Sequence, residues 1–472
     1  MSSRSPRPRS ICCSRCRRSS VVRSVPGSAR SGVRTSGSRG CRSRVRGRIG
    51  GAASALLFLL VACGSSGASE RKIDSRAPLV QRWAAGTSAY TDVRGLVWQP
   101  DTAVADGGEL STSSGSIQAT GNPGLYQRER RGVRSYRLPV PRQGTYAVVL
   151  YLAETAGTPV GGRVMTIRAE GTTIATGVDL AKLAGDLHAY QVVGTTVVAD
   201  GVLSLDLVAD HGQSAVSAVS VSFVRPGTSG PSSLFIDEFD GAAGAAPDRH
   251  RWEASTGTRW APRELQTYTN RTENAATDGR GNLVIKARRE NFAAGDGVVK
   301  PFTSARLITQ RSFSFTYGHA EARIRMPAGV GLLPAFWMMG DNENTVPWPG
   351  NGELDVVELP TPTNIIYGTV HGPDGSPRGY DAQVRGELPT PGYQAFHIYA
   401  VDWYPGVVQF SADGSVYGTI TEADLAPTRK WTLDHPFYLL FTLAVGGPWP
   451  GSPPPDESFP QTMTIDYVRV TG

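Results

Sequence analysis

GELDVVEL, residues 352–359, sets three carboxylates, Glu353, Asp355 and Glu358, into an otherwise apolar run. On a strand successive side chains point to opposite faces, so Glu353 and Asp355 share one face while Leu354 and Val356 turn to the other and pack in a core. Glu358 falls out of phase. A regular strand would bury it beside Leu354, whereas one extra residue taken up as a β-bulge at Val356 or Val357 returns it to the acidic face. The two glutamates then stand about four strand steps apart, roughly 13 Å at about 3.3 Å per residue. Leaning inward over a curved sheet, their side chains close to roughly the 5 to 5.5 Å at which a carboxylate pair cleaves a glycosidic bond with retention. Three carboxylates so near one another cannot all ionise cheaply, so at least one keeps its proton near neutral pH, the state a general acid needs. Taken alone, the octapeptide also fits a solvated acidic face on an edge strand.

The surroundings are rich in strands. LVIKARR (283–289), GHAEARIRMPA (318–328), AFHIYAVDWYP (395–405), VVQFSADGSVYG (407–418), FYLLFTLAVGG (437–447) and MTIDYVRV (463–470) follow one another with short turns and almost no helical periodicity. Asp413-Gly414 is a hairpin signal that calls for positive φ. The pattern predicts an all-β, two-sheet antiparallel sandwich over 234–472. Upstream, TYAVVLYLAE (145–154), VLSLDLVAD (202–210) and SAVSVSFV (217–224) mark a second, smaller β-sandwich over 76–225. PGTSGPSS, residues 226–233, links the two.

The 472-residue chain carries a formal net charge of +7, but 14 arginines and no acid precede Cys63. Beyond that segment the balance is −7, so no basic patch is left for phosphates and nucleic acid is not a partner. Arg46 and Arg48 precede an apolar run, Ile49 to Ala62, too short to span a bilayer and ending in Leu60-Val61-Ala62-Cys63. Those four residues resemble a bacterial lipobox, which implies export, cleavage before Cys63 and a lipid on its sulfur, and so a place on the outer surface of the cell membrane. An ordinary secretory signal that ends in cysteine, giving a secreted protein, is the alternative. Residues 1–62 thus divide into an Arg/Ser-rich extension, disordered by composition, and a signal peptide; a start at Val33 or Val45 would give a signal of usual length. Residues 63–75 form a tether. All five cysteines lie at or before Cys63, so a large core has to hold the mature chain without disulfides.

The second block resembles glycoside hydrolase family 16, in its laminarinase branch, through GELDVVE and an ordered set of motifs. These include IDEFDG (236–241), ELQTYT (264–269), SARLIT (304–309), PAFWMMG (334–340), TVHGP (369–373) and LAVGGPWPG (443–451). The resemblance implies a concanavalin-like jelly-roll with a cleft across its concave sheet and no cofactor for catalysis. It gives Glu353 the role of nucleophile, Glu358 that of acid and base, and Asp355 that of tuning the nucleophile. It places Trp337 as a sugar platform and His371 near the nucleophile, with Glu264 and Arg306 as hydrogen-bond partners of sugar hydroxyls. Trp348 and Trp449 lie in Pro/Gly-rich loops, where exposed indoles suit substrate stacking. Glu238 and Asp466 fall where many members hold a structural calcium, whose preference is for hard oxygen ligands. Leu333 stands where laminarinases usually carry Trp, and Arg263 where they tend to carry Asn.

The implied reaction is retaining hydrolysis of internal β-1,3-linkages in a β-glucan by a monomeric enzyme. Action on a mixed-linkage glucan or a galactan, transglycosylation, and glucan binding without turnover are the alternatives. The first block is similar to the malectin family of carbohydrate-binding domains through GLVWQPD (95–101), LYQRERRG (125–132) and Val178-Asp179. That likeness makes Tyr126 a sugar-binding aromatic and places Asp210 near a sugar-binding aspartate. The aromatic pair that usually follows Ala-Glu is replaced by Thr155 and Ala156 after Ala153-Glu154.

Overall fold

The computed structural model describes residues 80–227, 230–261, 263–295 and 297–472. The signal segment, the tether and Cys63 lie outside the described residues. Within them the chain is built from strands, and its α-helices are two four-residue turns, Pro123–Tyr126 and Leu180–Leu183. Residues 80–225 form two six-stranded sheets. Strand Gly144–Ala153 is buried at every position, which the continuous apolar run TYAVVLYLA makes affordable on both faces.

The second sandwich sets a seven-stranded sheet against a ten-stranded one. In chain order, the strands that build and support the site are β1 (Glu253–Ala254), β2 (Arg306–Ile308), β3 (Leu332–Gly340), β4 (Glu353–Glu358), β5 (Ile365–Gly372), β6 (Tyr380–Glu387), β7 (Val407–Ala412), β8 (Ser415–Thr421) and β9 (Phe437–Val445). The seven-stranded sheet runs β1-β2-β9-β3-β4-β5-β6, while β7 and β8 pair at one edge of the opposite sheet. Between the sheets lies a core that includes Leu354, Val356, Phe336 and Phe441 from one side and Ile324, Val401, Phe410 and Ile465 from the other. The outer face of the seven-stranded sheet carries its own apolar patch, with Ile308, Ala335, Trp337, Met339, Tyr438 and Leu440. As expected, Asp413 and Gly414 turn the β7–β8 hairpin with φ of 50° and 75°.

The two sandwiches share buried residues. Trp98, Tyr126 and Tyr151 of the first pack in one cluster with Tyr404, Val407 and Ala423 of the second. At its centre is Asp424, which accepts hydrogen bonds from Tyr126 Oη (2.7 Å), Thr120 Oγ1 (2.7 Å), Gln191 Nε2 (2.9 Å) and its own neighbour Thr421 Oγ1. Arg82 adds an ion pair to Glu422 at 3.2 Å.

Candidate active site

The central strand β4 carries the bulge that its sequence demands. Against β3, Phe336 faces Val357 and Trp337 faces Asp355, so Val356 is skipped. Against β5, Asp355 faces Thr369 and Glu358 faces Tyr367, leaving two residues opposite Gly368. Val356 and Val357 both sink into the core, and Glu358 emerges beside Glu353 and Asp355. All three line a cleft of about 480 Å³. The side chain of Phe410 occupies the space above Gly368 where a Cβ would stand, which explains a glycine opposite the bulge.

Few donors serve these acids. Glu353 accepts a hydrogen bond from Trp348 Nε1 at 2.7 Å, and Glu358 a long one from Thr369 Oγ1 at 3.4 Å. Asp355, buried between them, meets His371 Nε2 at 2.9 Å, and the other ring nitrogen meets Asp381 at 2.8 Å. Desolvation first, then the Asp355 charge, pushes Glu353 up to about 7, against the opposing pull of His371 and the Trp348 donor. The same two causes, with Glu353 added, raise Glu358 well above the carboxylate range. For His371 burial opposes the charge, but Glu353, Asp355 and Asp381 outweigh it and hold the ring well above its ordinary value. One donor atom each from Glu353, Asp355 and His371 lies within 4.8 Å of the others, and both ring nitrogens of His371 already face carboxylates, Asp355 and Asp381. Two carboxyl groups with separated proton affinities on one cleft wall have the makings of an acid and a nucleophile.

The remaining residues fall into place unevenly. Glu264 and Arg306 line the cleft as expected. Glu264 accepts from Gln266 at 2.9 Å, and burial raises its pKa. Trp337 lies in the floor but is 8% exposed, with its Nε1 donating to Thr442 at 3.2 Å and the Arg306 guanidinium over its ring at 4.5 Å. It lines the cleft, but little of its ring is open, and more exposed rings stand around it. Trp348 is 43% exposed beside Glu353, to which it donates a hydrogen bond. Trp449, equally exposed, meets Tyr367 edge-on at 4.8 Å, next to Glu358. Trp260 was not anticipated: 42% exposed, its ring also lies against the Arg306 guanidinium, at 4.4 Å. It sits in an irregular stretch where only its bulk and exposure were available as signals. Leu333 lines the cleft, and Arg263 adopts φ 64°, a left-handed conformation that Asn tolerates better than Arg.

Two expectations need correction. Tyr126 has no face open to a sugar, since its ring is fully buried between the two sandwiches and its hydroxyl is bound to Asp424. Asp210 accepts a hydrogen bond from Thr166 at the exposed end of its strand. Glu238 and Asp466, expected at a calcium site, do not join a group of three metal-capable side chains among the described residues. Glu238 pairs with Arg469 at 2.9 Å and Asp466 with Arg323, so each half-exposed carboxylate already faces a cation.

The profile of the glycosyl hydrolases family 16 matches residues 263–469, and that of the malectin domain residues 80–224. A beta-glucanase of Rhodothermus marinus is 38% identical over 252 residues, which cover 50% of this chain and 84% of that protein. A glucan endo-1,3-beta-glucosidase of Cryptopygus antarcticus is 35% identical over 253 residues, covering 49% and 89%. Among solved structures, the laminarinase catalytic domain from Thermotoga maritima is 37% identical with a TM-score of 0.47, covering 51% of this chain and 98% of that one. With a carboxylate cleft on a two-sheet sandwich and a relative matched over most of its length, the chain belongs to glycosyl hydrolases family 16 and is a glycosidase.

Proposed function

We propose that the enzyme cleaves internal β-1,3-linkages of a β-glucan with retention of anomeric configuration. The observation that carries this reading is the bulge at Val356, which sets Glu358 on the same cleft wall as Glu353 with Asp355 between them. In the first step the Glu353 carboxylate attacks the anomeric carbon while the bond to the leaving oxygen breaks and Glu358 gives that oxygen its proton. In the second, Glu358, now ionised, takes a proton from water. The water oxygen then attacks the same carbon and the ester bond to Glu353 breaks. Asp355, fixed by the His371 cation, keeps negative charge close to the nucleophile without competing for the anomeric carbon. The glucan relatives support the substrate class, and exposed Trp260, Trp348 and Trp449 supply ring faces for pyranose units.

Incubation with laminarin and measurement of reducing ends tests the proposal. Release by wild type and its loss in Glu353→Ala and Glu358→Ala is the expected outcome. Binding by all three with no reducing sugar from any would replace the enzyme with a glucan receptor, and release from a mixed-linkage glucan or galactan alone would move the linkage. Export and lipid attachment at Cys63 are supported by the Leu60–Cys63 segment. Metabolic labelling with a radiolabelled fatty acid, lost in Cys63→Ala, is the corresponding test.

A further inference from the structure

Val356 has no register partner on either neighbouring strand. A bulge interrupts the ladder, and a buried carbonyl beside one needs a donor from elsewhere. That donor comes from the opposite sheet. Tyr417, on β8, reaches through the core and its hydroxyl donates to the carbonyl of Val356 at 3.2 Å. Neighbours on two sides hold the ring in place. It packs on Phe410, with centroids 6.1 Å apart, and passes Gly386 of β6, where a Cβ would come within 2.7 Å of Tyr417 Cγ. We propose that Tyr417 is a positioning residue for Glu358, tying down the bulge carbonyl two residues earlier and so fixing the direction in which the acid leaves β4.

The physical reason is the alternation of a strand. A one-residue change of phase turns every later side chain to the other face. Glu358 stands in the cleft only while Val356 absorbs the extra residue, and a hydroxyl on the bulge carbonyl favours that arrangement over one in which the strand straightens. Tyr417 is not among the residues that line the cleft; its hydroxyl feels the charge of Glu358, but its hydrogen bond goes to the backbone of β4. The inference rests on Glu358 being the acid of the proposed reaction, and its test separates the two.

Tyr417→Phe in the full chain keeps the ring and removes the donor. A glucan or its oligosaccharides need a proton on the leaving oxygen, whereas a dinitrophenyl β-glycoside does not, and kcat/KM reports the first step alone. For a misaimed acid, kcat/KM on laminari-oligosaccharides falls about tenfold. On dinitrophenyl laminaribioside it changes by less than about twofold. Gly386→Ala, which keeps the hydroxyl group but crowds the ring and draws it off the Val356 carbonyl, gives the same leaving-group-dependent loss. A residue that merely fills the core lowers both rates together or neither, and that result overturns the proposal. Amide hydrogen exchange in the same samples reads the bulge without substrate. Faster exchange confined to residues 356–358 in Tyr417→Phe is expected, and unchanged exchange overturns the positioning role. A wild type inert on both substrates refutes the proposed function, while the exchange result still decides whether Tyr417 holds the bulge.

Discussion

Two of the places where this molecule encloses carboxylates are built on opposite terms. Asp424, between the sandwiches, collects four side-chain donors and serves as a structural hub. Glu353 and Glu358 lie at the cleft with one hydrogen bond each among the described residues, a third acid between them, and an open groove in front. A fully satisfied buried carboxylate stabilises the fold that surrounds it, since any loss would strand its donors. An under-satisfied pair keeps its proton affinity high and its reactivity available, at some loss of stability. The contrast lies in the donors supplied.

The largest expected effects break this comparison at the level of activity. Glu353→Ala or Glu358→Ala lowers reducing-end release by about 10³-fold or more with the circular dichroism of the sandwich unchanged. Asp424→Ala leaves the cleft working. Its signature is thermal: the buried Tyr126 hydroxyl loses its acceptor, at about 1–3 kcal/mol for such a group, and the partly buried Thr120 and Gln191 each lose a bond as well. A drop in Tm of roughly 5 °C or more by differential scanning calorimetry is expected, given about 2–4 °C per kcal/mol for domains of this size. An Asp424→Ala chain as stable as wild type would show that the shared hub contributes nothing.

Glu358→Gln sharpens the comparison through pH. In the folded chain this carboxyl binds its proton well above the ordinary value, while in the unfolded chain it ionises near about 4.3. Between those limits the unfolded state holds fewer protons, so wild-type stability falls as pH rises through the window. Glutamine removes that loss. The variant should match wild type at pH 4 and exceed its Tm increasingly towards pH 8, a gain made by destroying the acid. Trp348→Phe has a smaller effect: without the donor that lowers the pKa of Glu353, the acid limb of the kcat/KM profile moves to higher pH. Smallest of all, chelation with EDTA leaves Tm unchanged, because Glu238 and Asp466 are already neutralised by Arg469 and Arg323.

How much of this was legible in the sequence depends on how far each signal reaches. The bulge was legible because Glu358 breaks a two-residue period that Glu353, Leu354, Asp355 and Val356 establish within the same strand. The hairpin at Asp413-Gly414 and the sandwich of the second block were legible for the same local reason. Tyr126 was misread because the acceptor that decides its role, Asp424, lies 298 residues away, and no local pattern encodes a contact across a domain boundary. Trp337 follows the same lesson in miniature. Its strand position predicts the cleft side correctly, but the guanidinium of Arg306, from another strand, covers its ring. Trp260 escaped notice because its loop has no period against which an exposed indole stands out.

The central claim is that a bulge at Val356 sets Glu353 and Glu358 to act in turn on one anomeric carbon. Proton NMR of laminarin hydrolysis in its first minutes tests this most directly, before the product equilibrates. The β-anomer appearing first, with the α-anomer growing in only by mutarotation, is the predicted result. The α-anomer appearing first would mean a single displacement by water, and would contradict the geometry assigned to the pair.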